Sequence, residues 1–98
     1  MVTKIIWNKA ALQTFDETTT YLLDNYSLKS AQKFADLVYD KIDWVAKYPT
    51  SGRKVPNTNT LRMVNFGTYH HLYYRTQGKT LFISNFWDSR QNPNKRPY

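Results

Sequence analysis

Residues 61–86 read LRMVNFGTYHHLYYRTQGKTLFISNF, and the fold turns on how this stretch is divided. Three runs dense in aromatic and β-branched side chains, 61–66, 69–75 and 80–86, are separated by Gly67-Thr68 and by Gln77-Gly78-Lys79. Links this short that carry glycine suit hairpin turns, so the spacing predicts a three-stranded antiparallel meander. Upstream of it, 53–60 (RKVPNTNT) reads as a polar basic loop, and Pro49-Thr50-Ser51-Gly52 reads as a turn.

Before that turn the periodicity is helical. Ala31, Phe34, Ala35, Val38, Ile42 and Val45 recur at spacings of three and four after Ser27, a candidate N-cap, which predicts a helix reaching about Lys47 and stopped by Pro49. Leu12, Phe15, Thr19, Leu22, Leu23 and Tyr26 recur in the same way after Asn8, so a first helix over about 9–25 is expected to turn that face to the core. The short run 3–7 (TKIIW) has strand texture. Two helices joined by so short a link pack as an antiparallel hairpin. The resulting order, strand, helix, helix and three strands, predicts one α+β domain over 1–98. Its helical hairpin packs on a small, mainly antiparallel twisted sheet, and a basic tail follows over 88–98.

Length and composition bound the chemistry. Ninety-eight residues hold one core and no second globular unit. The chain has no cysteine, which excludes disulfides, thiolate nucleophiles and cysteine-based zinc sites. The longest stretch free of charged side chains, 63–74, is too short and too polar to span a bilayer. The N-terminus turns polar at Asn8-Lys9 and lacks the apolar segment of a secretory signal, so the cytoplasm is the expected compartment.

Charge is unevenly placed. Residues 1–52 hold six basic and six acidic side chains, whereas 53–98 hold eight basic ones and a single acid, Asp88, so the net +7 arises in the second half. A one-signed surface attracts a polyanion or an acidic protein. With one carboxylate in that half, magnesium-dependent nuclease chemistry lacks its ligands, and neither a metal nor another cofactor is expected.

The candidate functional residues cluster there. His70 and His71 are adjacent in the middle predicted strand, so they point to opposite faces. If Leu72 and Tyr74 pack under the helices, His70 joins them, and His71 shares the open face with Tyr69, Tyr73 and Arg75. His71 is then the better candidate for proton transfer or phosphate contact, and a structural, hydrogen-bonded role is the alternative for either histidine. Arg62 alternates with Leu61 and Met63 and is expected to leave the core face, where its guanidinium suits bidentate phosphate binding. Arg90 is a second candidate clamp, and Arg53, Lys54, Lys95 and Arg96 add basic charge in loop and tail. Tyr69, Tyr73, Phe82, Phe86, Trp87 and Tyr98 offer stacking surface for unpaired bases or, alternatively, ordinary sheet packing.

The sequence resembles the RelE/ParE superfamily of toxins from bacterial type II toxin–antitoxin modules. The resemblance rests on Ala11 and Leu12 in the first helix, Ala31, Phe34 and Ile42 in the second, and Pro49-Thr50-Ser51-Gly52-Arg53 after it. It continues through Arg62, Tyr74-Arg75, Ile83 and the closing Trp87-Asp88-Ser89-Arg90-Gln91-Asn92-Pro93. The Pro-x-x-Gly-Arg turn and the closing Arg-Gln-Asn-Pro are more similar to the ParE, or plasmid-stabilisation, branch than to the RelE branch. Membership of the RelE branch implies ribosome-dependent cleavage of messenger RNA without a metal, with His71 as proton-transfer group and Arg62 and Arg90 as phosphate clamps. Membership of the ParE branch implies inhibition of DNA gyrase with no catalysis. In either case Arg53, Lys54, His70, Arg75, Lys95, Arg96 and Tyr98 are candidate binding residues. The resemblance also implies a cognate antitoxin whose disordered tail folds along the hairpin and sheet. The alternative from another class is a non-toxic or degenerate nucleic-acid- or protein-binding module of the same fold.

Overall fold

The computed structural model describes residues 2–67 and 69–88. The elements are strand β1 (Lys4–Trp7), helices α1 (Lys9–Asn25) and α2 (Leu28–Lys47), and strands β2 (Arg53–Lys54), β3 (Arg62–Phe66), β4 (His70–Gln77) and β5 (Thr80–Asp88). Two helices pack against one five-stranded sheet of order β1-β5-β4-β3-β2. The meander β3-β4-β5 is antiparallel, and β1 lies parallel to β5. A parallel neighbour needs a crossover connection, and the helical hairpin begins that crossover. The expected α+β order is thus realised, with one addition. The segment expected to be wholly loop contains β2, whose two residues pair antiparallel with Met63 and Arg62.

Local sequence explains most boundaries. Ser27 Oγ accepts from the Ser30 N–H and so caps α2, whereas Asn8 precedes α1 without a side-chain cap. Gly78 has φ +59° at the first position of the two-residue turn joining Gln77 to Thr80, a conformation that favours glycine. Gly67 has φ +61° where β3 turns toward β4.

The α2 stripe is buried as its spacing predicts, with Ala31, Phe34, Val38, Ile42 and Val45 all in the core. The α1 stripe is rotated by about one residue from expectation. Ala11 is fully buried, with Phe15 and Leu22 packed against the core, while Leu12 (53% exposed), Leu23 and Tyr26 face outward. Both sets have helical spacing, and packing on α2 and β5 selects the first.

Beneath the helices lie Val64, Phe66, Leu72, Tyr74, Leu81, Ile83 and Phe86. Each such side chain contributes about 1.5–3 kcal/mol through burial. An aromatic band crosses this layer. Trp7 meets Phe15 and Phe86, both at 5.5 Å between ring centroids, Phe15 meets Phe34 at 5.8 Å, and Phe34 meets Phe66 at 6.3 Å.

One irregularity sets the faces of the sheet. In β5, Ile83 pairs with Tyr74 and Asn85 with Tyr73, which leaves Ser84 as the extra residue of a bulge. Asn85 Oδ1 takes up the Phe86 N–H at 2.8 Å and the Thr14 hydroxyl of α1 at 2.8 Å. The extra residue changes the phase of the strand. Leu81 and Ile83 face the helices before the bulge, and Phe86 does so after it, so Trp87 emerges on the opposite, open face.

Candidate functional site

Register assigns each candidate to a face. Leu72 and Tyr74 are fully buried under the helices, so His70 lies on that side and His71 on the open one. His70 stacks on Phe66 at 5.1 Å with 19° between the planes and meets the edge of Phe34 at 5.2 Å. It lines a cavity of about 340 Å³ between α1 and the β4–β5 pair, together with Glu17, Tyr21, Trp87 and Asp88.

His71 sits opposite Trp87 on β5 and Asn65 on β3. These residues, with Met63 and Tyr73, form the floor of the open face. β2 brings Arg53 alongside, because Arg53 pairs with Met63, two residues from Asn65 on the same face. The result is a cleft of about 390 Å³ lined by Arg53, Lys54, Val55, Pro56, Met63, His71, Tyr73 and Trp87. It joins a guanidinium, an imidazole and an indole, while Lys54, paired with Arg62, belongs to the other face and borders the cleft from the edge strand.

The imidazole is tuned by this setting. Partial burial, followed by the Arg53 charge, holds the His71 pKa below its ordinary 6.5, and Asp88 acts in the opposite sense. His71 is therefore neutral at neutral pH. Its Nδ1 lies 2.6 Å from Asn65 Oδ1. An amide oxygen only accepts, so with the amide oriented in this way Nδ1 carries the hydrogen and Nε2 keeps its lone pair. That nitrogen can accept a proton or a hydrogen bond from a ligand.

Arg62 departs from expectation. It pairs with Tyr74, so it lies on the helix-covered side of the sheet, away from His71. Its Nη1 donates to the Gly52 carbonyl at 2.6 Å and to the Thr50 carbonyl at 3.2 Å. The guanidinium thus ties down the turn before β2, and it contributes no clamp to the cleft. Arg75 shares the open face with His71, but four residues further along β4, on the order of 13 Å away, where its guanidinium covers the Phe82 ring at 5.1 Å. Tyr69 is exposed, whereas Phe86 belongs to the core. Arg90, Lys95, Arg96 and Tyr98 lie outside the described residues.

Asn65 was not legible as part of the site, although the signal existed. Once Phe66 is paired with His70 across the turn, alternation brings Asn65 opposite His71. Tyr74 was legible as core alone, yet its buried hydroxyl donates to the Pro49 carbonyl at 2.8 Å and accepts the Gly52 N–H at 2.9 Å.

A helical hairpin on a mixed five-stranded sheet, with a basic cleft on the uncovered face, defines a small α+β protein with one candidate binding surface. The fold has a counterpart among solved structures in the chromosomal ParDE TA system from P. aeruginosa. That chain superposes with a TM-score of 0.74 at 13% identity, covering 89% of this chain and 96% of that one. No curated protein matches in sequence. The family model described as ParE toxin of type II toxin-antitoxin system, parDE, matches residues 5–93, and the chain belongs to that family. Among the described residues no helix is long and apolar enough to cross a membrane.

Proposed function

We propose that the chain is the growth-inhibiting toxin of a type II toxin–antitoxin, or plasmid-stabilisation, module acting in the cytoplasm. Its toxic surface is the open-face cleft around His71, and its target is DNA gyrase. The observation that carries this reading is the convergence of Arg53, His71 and Trp87 on one uncovered face of a ParE-family fold, with Lys54 also lining the cleft they form. A gyrase inhibitor needs a binding surface and no reaction, and basic charge favours encounter with DNA or an acidic protein. The commitment of Arg62 to backbone carbonyls fits this reading, since a phosphate clamp is thereby removed from the cleft.

Supercoiling by purified gyrase is expected to fall as the chain is added. Arg53→Glu and His71→Ala should relieve the inhibition while leaving the thermal melt near wild type. Undiminished supercoiling at every concentration would rule gyrase out.

A second reading, messenger cleavage on the ribosome, is favoured by one specific observation. The Asn65 contact leaves Nε2 of a neutral His71 available as a general base, beside the Arg53 charge. Cleavage fragments from an in vitro translation reaction, lost in His71→Ala, would select it. Unimpaired growth on induction would instead favour a non-toxic binding module.

The cognate antitoxin is the expected partner. Leu12, Leu23, Tyr26, Leu28 and Tyr39 are exposed on the hairpin, which supports docking of its folding tail along that surface.

A further inference from the structure

The cleft lies on one face of the sheet, while the side chains that fix its basic wall lie on the other. Arg62 and Tyr74 are cross-strand partners on the helix-covered face. Between them they make four hydrogen bonds to the backbone of the 49–52 turn. Tyr74 Oη donates to Pro49 O and accepts from Gly52 N, and Arg62 Nη1 donates to Thr50 O and Gly52 O. The turn is pressed close against this pair. A Cβ at Gly52 would stand 2.5 Å from Tyr74 Oη and 3.0 Å from the Met63 carbonyl oxygen. The next residue along the chain is Arg53.

β2 needs such support. It is an edge strand of two residues, so its ladder with β3 is a weak anchor. The hydroxyl of Tyr74 is also more than a satisfied polar atom, because both of its bonds go to the same turn.

We propose that Tyr74 and Arg62 are positioning residues of the cleft. From behind the sheet they clamp the 49–52 turn and thereby hold Arg53 against His71 on the open face. The significance of the clamp for growth inhibition rests on the toxin reading above, whereas the clamp itself does not.

The test reads His71 by NMR titration in the full chain. The charged groups around that imidazole are Arg53 and Lys54 from β2 and Asp88 from β5. Arg53→Ala sets the full rise in midpoint available from losing that charge. Tyr74→Phe removes the hydroxyl and keeps the ring, and Arg62→Met removes the donors and keeps the stem. Each is expected to raise the midpoint by most of the Arg53→Ala rise, and adding Arg53→Ala to either should raise it little further. A clamp that merely stabilised the fold would lower the melting temperature and leave the titration where it was. An unmoved midpoint in the folded clamp variants overturns the proposal, and so does an Arg53→Ala variant with no rise. Should Tyr74→Phe fail to fold, Arg62→Met carries the same comparison. A harmless wild-type chain would defeat the toxin reading and leave the titration result standing.

Discussion

Replacing Gly52 by alanine adds one methyl group at the most crowded point of the turn. The backbone at Gly52 lies outside the left-handed region, which among the glycines is occupied by Gly67 and Gly78, so the cost is one of space and lost bonds. The new Cβ would meet Tyr74 Oη at 2.5 Å, Tyr74 Cε1 at 2.8 Å and the Met63 carbonyl oxygen at 3.0 Å. None of these yields easily. Tyr74 is fully buried and bonded to Pro49, and Met63 is backbone of β3. Overpacking of this kind costs about 1–3 kcal/mol. If the turn retreats, the bonds from Gly52 to Tyr74 and from Arg62 to Gly52 are strained or lost, at about 1 kcal/mol each. The total is about 3–5 kcal/mol, a large fraction of the roughly 5–15 kcal/mol that holds a domain of this size folded. At about 4–8 °C per kcal/mol, Tm should fall by about 12–40 °C in a circular dichroism melt. Gly78→Ala is the control, because at φ +59° nothing lies within 4 Å of its Cβ. It carries backbone strain alone, about 1 kcal/mol. A Gly52→Ala melt within a few degrees of wild type, or above that of Gly78→Ala, would refute the reasoning.

Two further expectations concern His71. Burial first and Arg53 second depress its folded pKa below 6.5, so the unfolded chain takes up the proton first as pH falls. Relative to His71→Gln, which has no titrating ring there, the wild type should lose stability as pH drops from 6.5 through the folded midpoint, and the difference should be flat above 6.5. Denaturant melts across pH check this, and parallel pH profiles for the two proteins would contradict it. Asn65→Ala removes the acceptor at Nδ1, so the neutral ring should give up its Nδ1–H preference, at a stability cost of about 1 kcal/mol. Ring ¹⁵N shifts report the tautomer directly, and identical shifts with and without Asn65 would show that the amide does not set it.

Local pattern made much of this legible. The α2 stripe from Ala31 to Val45 is buried as spaced, and the opposite facing of His70 and His71 follows from strand alternation once Leu72 is placed in the core. The phase of α1 was a different matter. The expected stripe includes Phe15 and Leu22, which do pack on the core, but it also takes in Leu12, Leu23 and Tyr26, which are exposed, and leaves out Ala11, which is buried, because propensity does not choose between adjacent stripes. Arg62 failed for a related reason. Alternation with Leu61 and Met63 fixes relative faces within β3, but the absolute face comes from pairing with Tyr74.

The sequence by itself determined the element order apart from β2, the turns at Gly67 and Gly78, the basic second half and the histidine pair, because each depends on residue type and near-neighbour spacing. Only the tertiary structure decided which side chains meet at the cleft. The Ser84 bulge reverses the facing of β5, so that Phe86 enters the core and Trp87 reaches His71. Two-residue periodicity carries no sign of an extra residue, and a bulge shows itself only when both strands of the ladder are in register. The same holds for Arg53. It reaches the cleft because its turn is clamped by Tyr74, 22 to 25 residues further along the chain, and by Arg62, contacts that close through space and leave no mark on local sequence.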